Sequence, residues 1–155
     1  MTGDPGFQPP GERDVQIIRT IGGPREVVFE AFLDPDQIAK WWAPDGFEVP
    51  RDTVDVERGR GGYIHFTMAQ SGGGPEYPVR FEIVEFVEPE LLVLASPALP
   101  EVGILEPTQT HVFFEPDGAG TRVTVTQGPH DDEMRPRAGA GWEGSFDKLE
   151  ALFAR

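Results

Sequence analysis

The residues best suited to move protons or hold a metal in this 155-residue chain are three histidines, His65, His111 and His130, and there is no cysteine. Thiolate nucleophiles, thiolate metal sites and disulfides are therefore absent together. None of the histidines stands in a short-spacing motif such as H-x-x-x-H. Two fall in strand patterns and the third precedes a helix, so no metal site and no cofactor is expected. Ser145 lies inside a helical pattern with no G-x-S-x-G elbow around it. Asp131, Asp132 and Glu133 read as charges complementing a helix N-terminus. Asp55, Glu57 and Arg58 flank a tight turn and read as an ion pair or turn support. No catalytic residue is assigned.

A literal G-x-G-x-x-G runs from Gly139 to Gly144. A dinucleotide fingerprint needs a strand before it and a helix after it, whereas these glycines lie inside a helical pattern. Each costs a helix interior about 1 kcal/mol relative to Ala. Two explanations stand: Gly139 and Gly141 thin or bend the helix where it crosses a cavity, or the turn after Pro136 is simply weak.

The remaining chemistry is apolar. Trp41, Trp42 and Trp142 are the largest apolar groups, and they fit either plain core packing or the wall of a ligand pocket, since such pockets are mostly apolar and aromatic. Phe66, Met68, Phe81, Leu94, Val112, Met134 and Phe146 are pattern-based candidates for the same wall. Arg80 and His111 are the polar candidates, with surface strand positions as the alternative. The strand 108–115 carries apolar residues on both faces, so its pattern leaves open which way His111 points.

The element that must position this wall is the last one. On a helical wheel over 132–154, Met134, Ala138, Trp142, Ser145, Phe146, Leu149, Leu152 and Phe153 fall within roughly 120°. Arg137, Glu143, Asp147, Lys148 and Glu150 fall opposite. Its dense Leu and Phe half, 146–153, is expected to anchor the fold. Its glycine-containing half, 134–144, is expected to face a ligand.

Upstream, 14–21 reads as a strand with Val15, Ile17 and Ile21 on one face, and 24–33 as a helix with Pro24 in its first turn. Asp34-Pro35-Asp36-Gln37 is close to a capping box and opens a second short helix ending at the two tryptophans. Residues 43–51 read as a loop. From 53 to 128 the period is two, with strands expected over 53–56, 63–69, 79–87, 91–96, 108–115 and 120–127. Between two of these, the Pro-rich loop 97–107 contains Ile104 and Leu105, apolar residues that need a reason to be there. Short connections force neighbouring strands to pair, and the long helix can bury its stripe only against that sheet. The class is α+β.

A chain of this size buries roughly 70% of its unfolded surface and holds one real core. Residues 1–13, rich in proline and glycine, read as a flexible arm, and 14–155 as a single domain. Net charge is −14, which repels nucleic acid and anionic membrane surfaces. No apolar run approaches the ~18 residues of a membrane span. No secretory h-region is seen, and a cytoplasmic location is expected.

The order of elements and the residues at their joints resemble the START-like superfamily, also called SRPBCC or Bet v-like. The resemblance is to its branch named for the activator of heat-shock protein 90 ATPase homologues. Carrying it are Pro24 and Val28 ahead of Asp34-Pro35, then Trp41-Trp42, and Asp55 followed by Arg58 and Gly61-Gly62. Phe81-Glu82-Ile83 with Pro89, Gly120-Thr121-Arg122-Val123, and Gly141-Trp142 with Leu149 and Leu152 complete it. The resemblance spans about residue 14 to 154. It implies a helix-grip fold, a curved antiparallel sheet of about six to seven strands around the C-terminal helix, with a cavity used in the superfamily for lipids, sterols, polyketides and other apolar molecules. The expected function is binding of a small apolar or aromatic molecule. A polyketide cyclase or dehydratase-like enzyme using the same cavity is the alternative, and a chaperone-interacting module is a third reading; a protein partner or a homodimer is compatible with either.

Overall fold

Alternation with a period of two through the middle of the chain produces one antiparallel sheet, and the amphipathic C-terminal stretch lies across it. The computed structural model describes residues 11–154. In chain order the elements are β1 (Val15–Ile21), α1 (Arg25–Ala31), α2 (Pro35–Trp41), β2 (Phe47–Glu48), β3 (Asp55–Glu57), β4 (Tyr63–Gln70), β5 (Glu76–Val87), β6 (Leu91–Ser96), β7 (Thr108–Asp117), β8 (Gly120–Gly128) and α3 (Met134–Leu152). Strands β4 to β8 form a meander, and β1 adds antiparallel to the free side of β8. On the other edge β2 pairs with Ala69 and Gln70 of β4 while β3 pairs with residues Tyr63 to His65. Eight strands thus make a sheet seven strands wide.

One face of the sheet is apolar because alternate residues are. Val15, Ile17, Val123, Val125, Val112, Phe114, Leu92, Leu94, Phe81, Ile83, Ile64 and Phe66 are all buried. A register shift between Ile83 and Glu85 preserves this face past the middle of β5. Phe86 thereby comes opposite Leu92 and meets Phe29 of α1 edge-on at 5.5 Å.

Asp34 caps α2 as its sequence suggests, accepting from the Asp36 N–H at 3.0 Å and from Gln37 Nε2 at 3.0 Å. The helix ends in two indoles stacked at 4.8 Å. Phe32 packs edge-on against Trp41 at 4.7 Å and against Phe114 at 5.2 Å. This cluster, with Phe146 at 0% exposure, fills the space under the C-terminal half of α3.

The polar side of α3 does more than face water. Arg19, on the inner face of β1, is bound by Glu143, by Asp147 at 3.0 Å and by Glu150 at 3.4 Å. Lys148 Nζ, half-buried, donates to the carbonyls of Ala43, Pro44 and Phe47 at 2.9, 3.2 and 3.1 Å. Its stem packs while its ammonium ties α3 to the loop after α2.

Several boundaries differ from expectation. The loop 43–51 contains β2, and a 3-10 turn Arg51–Thr53 delays the next strand to Asp55. Strand β5 begins at Glu76 instead of 79, with Pro78 accommodated opposite Thr67. The loop 97–107 holds a 3-10 turn, Pro100–Val102, closed by Leu99 pairing with Ile104. Of the expected arm, residues 1–10 lie outside the described residues. Arg13 is held in place: its guanidinium pairs with Glu106 and donates to the His130 carbonyl at 3.3 Å, and its own carbonyl accepts from His130 N–H at 2.8 Å.

Candidate functional site

Small residues decide where α3 and the sheet touch. In the C-terminal half of α3, Phe146 and Leu149 are fully buried. In the N-terminal half Ala138 and Gly141 lie between Met134 and Trp142, with Ser145 one turn on, and there a pocket of about 640 Å³ opens. Trp42, Pro44 and Phe47 close one side; Met68, Tyr77, Val79 and Phe81 of β4 and β5 form the floor. Leu99 and Ile104 come down from the loop before β7. Ile104, whose place in a polar loop the sequence leaves unexplained, is thus a wall residue, while Leu105 beside it is exposed. Glu101 and Arg137 line the pocket from exposed positions.

The polar end of the pocket has a definite chemistry. Gln127 continues the inward-facing series of Val123 and Val125 along β8, so a polar side chain occupies a position of core parity. Its carboxamide oxygen lies 3.2 Å from Trp142 Nε1 and 3.1 Å from His130 Nε2, and its nitrogen donates to Thr110 Oγ1 at 2.7 Å. His130 is 3% exposed, and burial pushes its imidazole below the ordinary range, against the opposing pull of Asp14 and Asp131. Asp131 also accepts from the Met134 N–H at 2.7 Å and so caps α3.

The three glycines of the G-x-G-x-x-G stretch have different surroundings. A Cβ on Gly139 would meet open space; on Gly141, which lines the pocket, it would meet Pro44 Cβ at 3.8 Å. On Gly144 it would stand 3.0 Å from the backbone nitrogen of Asp45. Gly144 therefore marks the close approach of helix and loop, a role the sequence pattern does not reveal.

Among the expected wall residues, Trp42, Met68, Phe81, Met134 and Trp142 come together around the pocket. Trp41, Phe66, Leu94, Val112 and Phe146 do not line it. They are buried in the core beside it, and Trp41 uses its N–H on the Ala31 carbonyl at 2.9 Å. Arg80 and His111 face away. Val112 and Phe114 take the inner positions of β7 together with Thr110, so His111 shares the outer face with Phe113. Arg80 pairs across from His65 and donates to the carbonyls of Phe66 and Val79 at 3.3 and 3.0 Å. Both are corrected to outer positions by the pairing of their strands. An outer depression lined by Tyr63, His65, Arg80 and Ser96 is where Arg80 lies. The polar residues the sequence reading missed are Gln127 and His130. Gln127 is legible as a polar residue at inward parity on its strand, whereas His130 stands in no motif that marks it. Among the described residues no cluster of His, Asp or Glu could hold a metal ion, and no helix is long and apolar enough to cross a membrane.

Residues 23–154 match the family described as Activator of Hsp90 ATPase homolog 1-like protein. No curated protein matches the sequence. Among solved structures, a protein from Chromobacterium violaceum superposes with a TM-score of 0.77 at 23% identity, covering 91% of this chain and 96% of that one. The AHSA1 protein from Silicibacter pomeroyi gives 0.72 at 24% identity over 90% and 96%. CalU16 from Micromonospora echinospora gives 0.67 at 18% identity over 91% and 76%. At these identities the likeness establishes the fold, an α+β sheet gripping a C-terminal helix.

Proposed function

This chain belongs to the family of Activator of Hsp90 ATPase homolog 1-like proteins, and from that premise we propose that it binds a small apolar or aromatic molecule between the sheet and the N-terminal half of α3. The observation that carries the reading is the pocket itself: about 640 Å³, walled by Trp42, Phe81, Met68, Trp142 and Ile104, with Gln127 and His130 hydrogen-bonded to each other in its lining. That volume lies inside the usual range for small-molecule sites of about 300–1,000 Å³. Helix α3 supports the same reading, because Ala138, Gly141 and Ser145 leave room beside Met134 and Trp142 at the pocket, while Phe146 and Leu149 fill the core. An enzyme of the cyclase or dehydratase kind would use the same space. It is favoured less, because the imidazole of His130 is hydrogen-bonded to an amide and not to a carboxylate.

A thermal-shift screen of apolar and aromatic compounds tests the proposal. A ligand at 100 times its dissociation constant stabilises by about 2.7 kcal/mol, a rise of roughly 5–10 °C for a domain of this size. Gly141→Met, which puts a side chain into the pocket opposite Pro44, should abolish the shift. If no compound moves the melting temperature of the wild-type protein, the proposal fails.

A further inference from the structure

A serine in the middle of a helix can satisfy its hydroxyl on the carbonyl four residues earlier or on a group beyond the helix. Ser145, 3% exposed, takes neither: among the described residues its oxygen has no hydrogen-bond partner. That oxygen is nevertheless not sealed in the interior. The one unpaired side-chain nitrogen or oxygen that is fully occluded among the described residues is His130 Nδ1. The Ser145 hydroxyl therefore keeps accessible surface, and the open space its residue borders is the pocket. Thr108, 5% exposed, is the other buried hydroxyl of the lining without a partner. It follows directly on the loop 97–107, whereas Ser145 stands beside Phe146, where the pocket gives way to the core. Gln127, by contrast, is committed: its oxygen serves Trp142 and His130, and its nitrogen donates to Thr110.

We propose that Ser145 determines the specificity of the pocket, and that the molecule held there is neutral and apolar except for a hydroxyl or carbonyl that hydrogen-bonds the Ser145 hydroxyl. The inference rests on the pocket being the binding site, as proposed above, and it narrows the ligand class. In the free protein, water in the pocket can meet this hydroxyl. A ligand that displaces the water must replace its bond or leave a buried polar group unmet. A serine hydroxyl both donates and accepts, so phenols, alcohols and ketones fit, whereas a hydrocarbon of the same shape fills the volume and leaves the oxygen bare. A carboxylate would be desolvated there with no cation beside it. Arg137, which lines the pocket, stands eight residues earlier on α3, about 12 Å along the helix axis. Lys148 is held by the carbonyls of Ala43, Pro44 and Phe47.

Equilibrium titration with 2-naphthol and 2-methylnaphthalene isolates the contact, since the two share a shape and differ by a hydroxyl against a methyl. Ser145→Ala removes the oxygen and keeps a good helix former. The ratio of the two affinities, naphthol over methylnaphthalene, should be about tenfold lower in the variant than in the wild-type protein, as the loss of one hydrogen bond requires. The ligand-free proteins supply a second readout. Ser145→Ala should melt no lower than wild type, because a hydroxyl with no protein partner takes no structural bond with it. An unchanged ratio, or a ligand-free Ser145→Ala that melts lower, overturns the inference while leaving pocket binding intact. So does a thermal-shift panel in which hydrocarbons bind and hydroxyl- or carbonyl-bearing compounds do not. If neither compound binds, and no member of the panel does, both proposals fall.

Discussion

The indole N–H of Trp142 donates to the side-chain oxygen of Gln127 at 3.2 Å, joining α3 to β8 where helix and sheet separate around the pocket. The same oxygen receives His130 Nε2. Gln127→Leu would leave two largely buried donors without an acceptor and should destabilise by about 2 kcal/mol or more, since each orphaned group costs roughly 1–3 kcal/mol. Gln127→Glu keeps both acceptances and should cost clearly less. Denaturant unfolding of the two variants checks the order.

The glycines of α3 should respond in opposite directions. Gly139→Ala places a methyl in open space on a helix and should stabilise by up to about 1 kcal/mol. Gly144→Ala places one 3.0 Å from the Asp45 backbone nitrogen. The loop cannot easily retreat, because Lys148 holds the carbonyls of Ala43, Pro44 and Phe47. The helix-propensity gain should therefore be outweighed, with a net loss of about 1–2 kcal/mol, typical of overpacking. Melting curves for the two variants measured together would show a rise and a fall.

Lys148 itself is a structural cation. Lys148→Met retains most of the stem and removes three charge-assisted hydrogen bonds. A loss of about 2–3 kcal/mol is expected, in the range for hydrogen bonds to a charged group. Hydrogen exchange should quicken most in residues 43–48.

Stability should fall as the solution is acidified through the imidazole range. The His130 imidazole is pushed down by burial, with Asp14 and Asp131 opposing and Arg13 and Arg135 assisting. In the unfolded chain it titrates near the ordinary value of about 6.5. Below that pH the unfolded state binds a proton that the folded state resists, so the contribution is full above about pH 6.5 and is lost as pH falls towards the lower folded value. His111 and His65 shift in the same direction, again through burial first. The difference in unfolding free energy between wild type and His130→Phe, followed from pH 8 to pH 5, should shrink on acidification.

How far the sequence foretold this arrangement depends on which physics carried each feature. The α2 cap, the meander and the anchoring half of α3 are local or periodic properties, and the residues state them directly. Asp34 does what its position before Pro35 suggests. Strand parity failed as a guide at His111, because Val112 and Phe113 are adjacent and both buried, and only the pairing of β7 with β6 and β8 settles which is inside. The division between core and pocket was illegible for the aromatic residues. Trp41 and Trp42 are neighbours on one helix end, yet one is locked to Ala31 and the other borders the pocket. The roles of Gly144, Lys148 and Ile104 come from approaches between segments distant in sequence, which no local pattern encodes.

The three tryptophans provide the most direct measurement of the central claim. In a ¹H–¹⁵N spectrum their indole N–H signals report three places: Trp41 in the closed core, Trp42 at the pocket edge and Trp142 at its polar end. On titration with 2-naphthol, the Trp42 and Trp142 indole signals and the amide of Gly141 should shift with a common saturation curve while the Trp41 indole stays near its free position. Saturable shifts confined to outer-face residues such as His65, Arg80 and His111, or no saturable shift at all, would contradict binding between the sheet and α3.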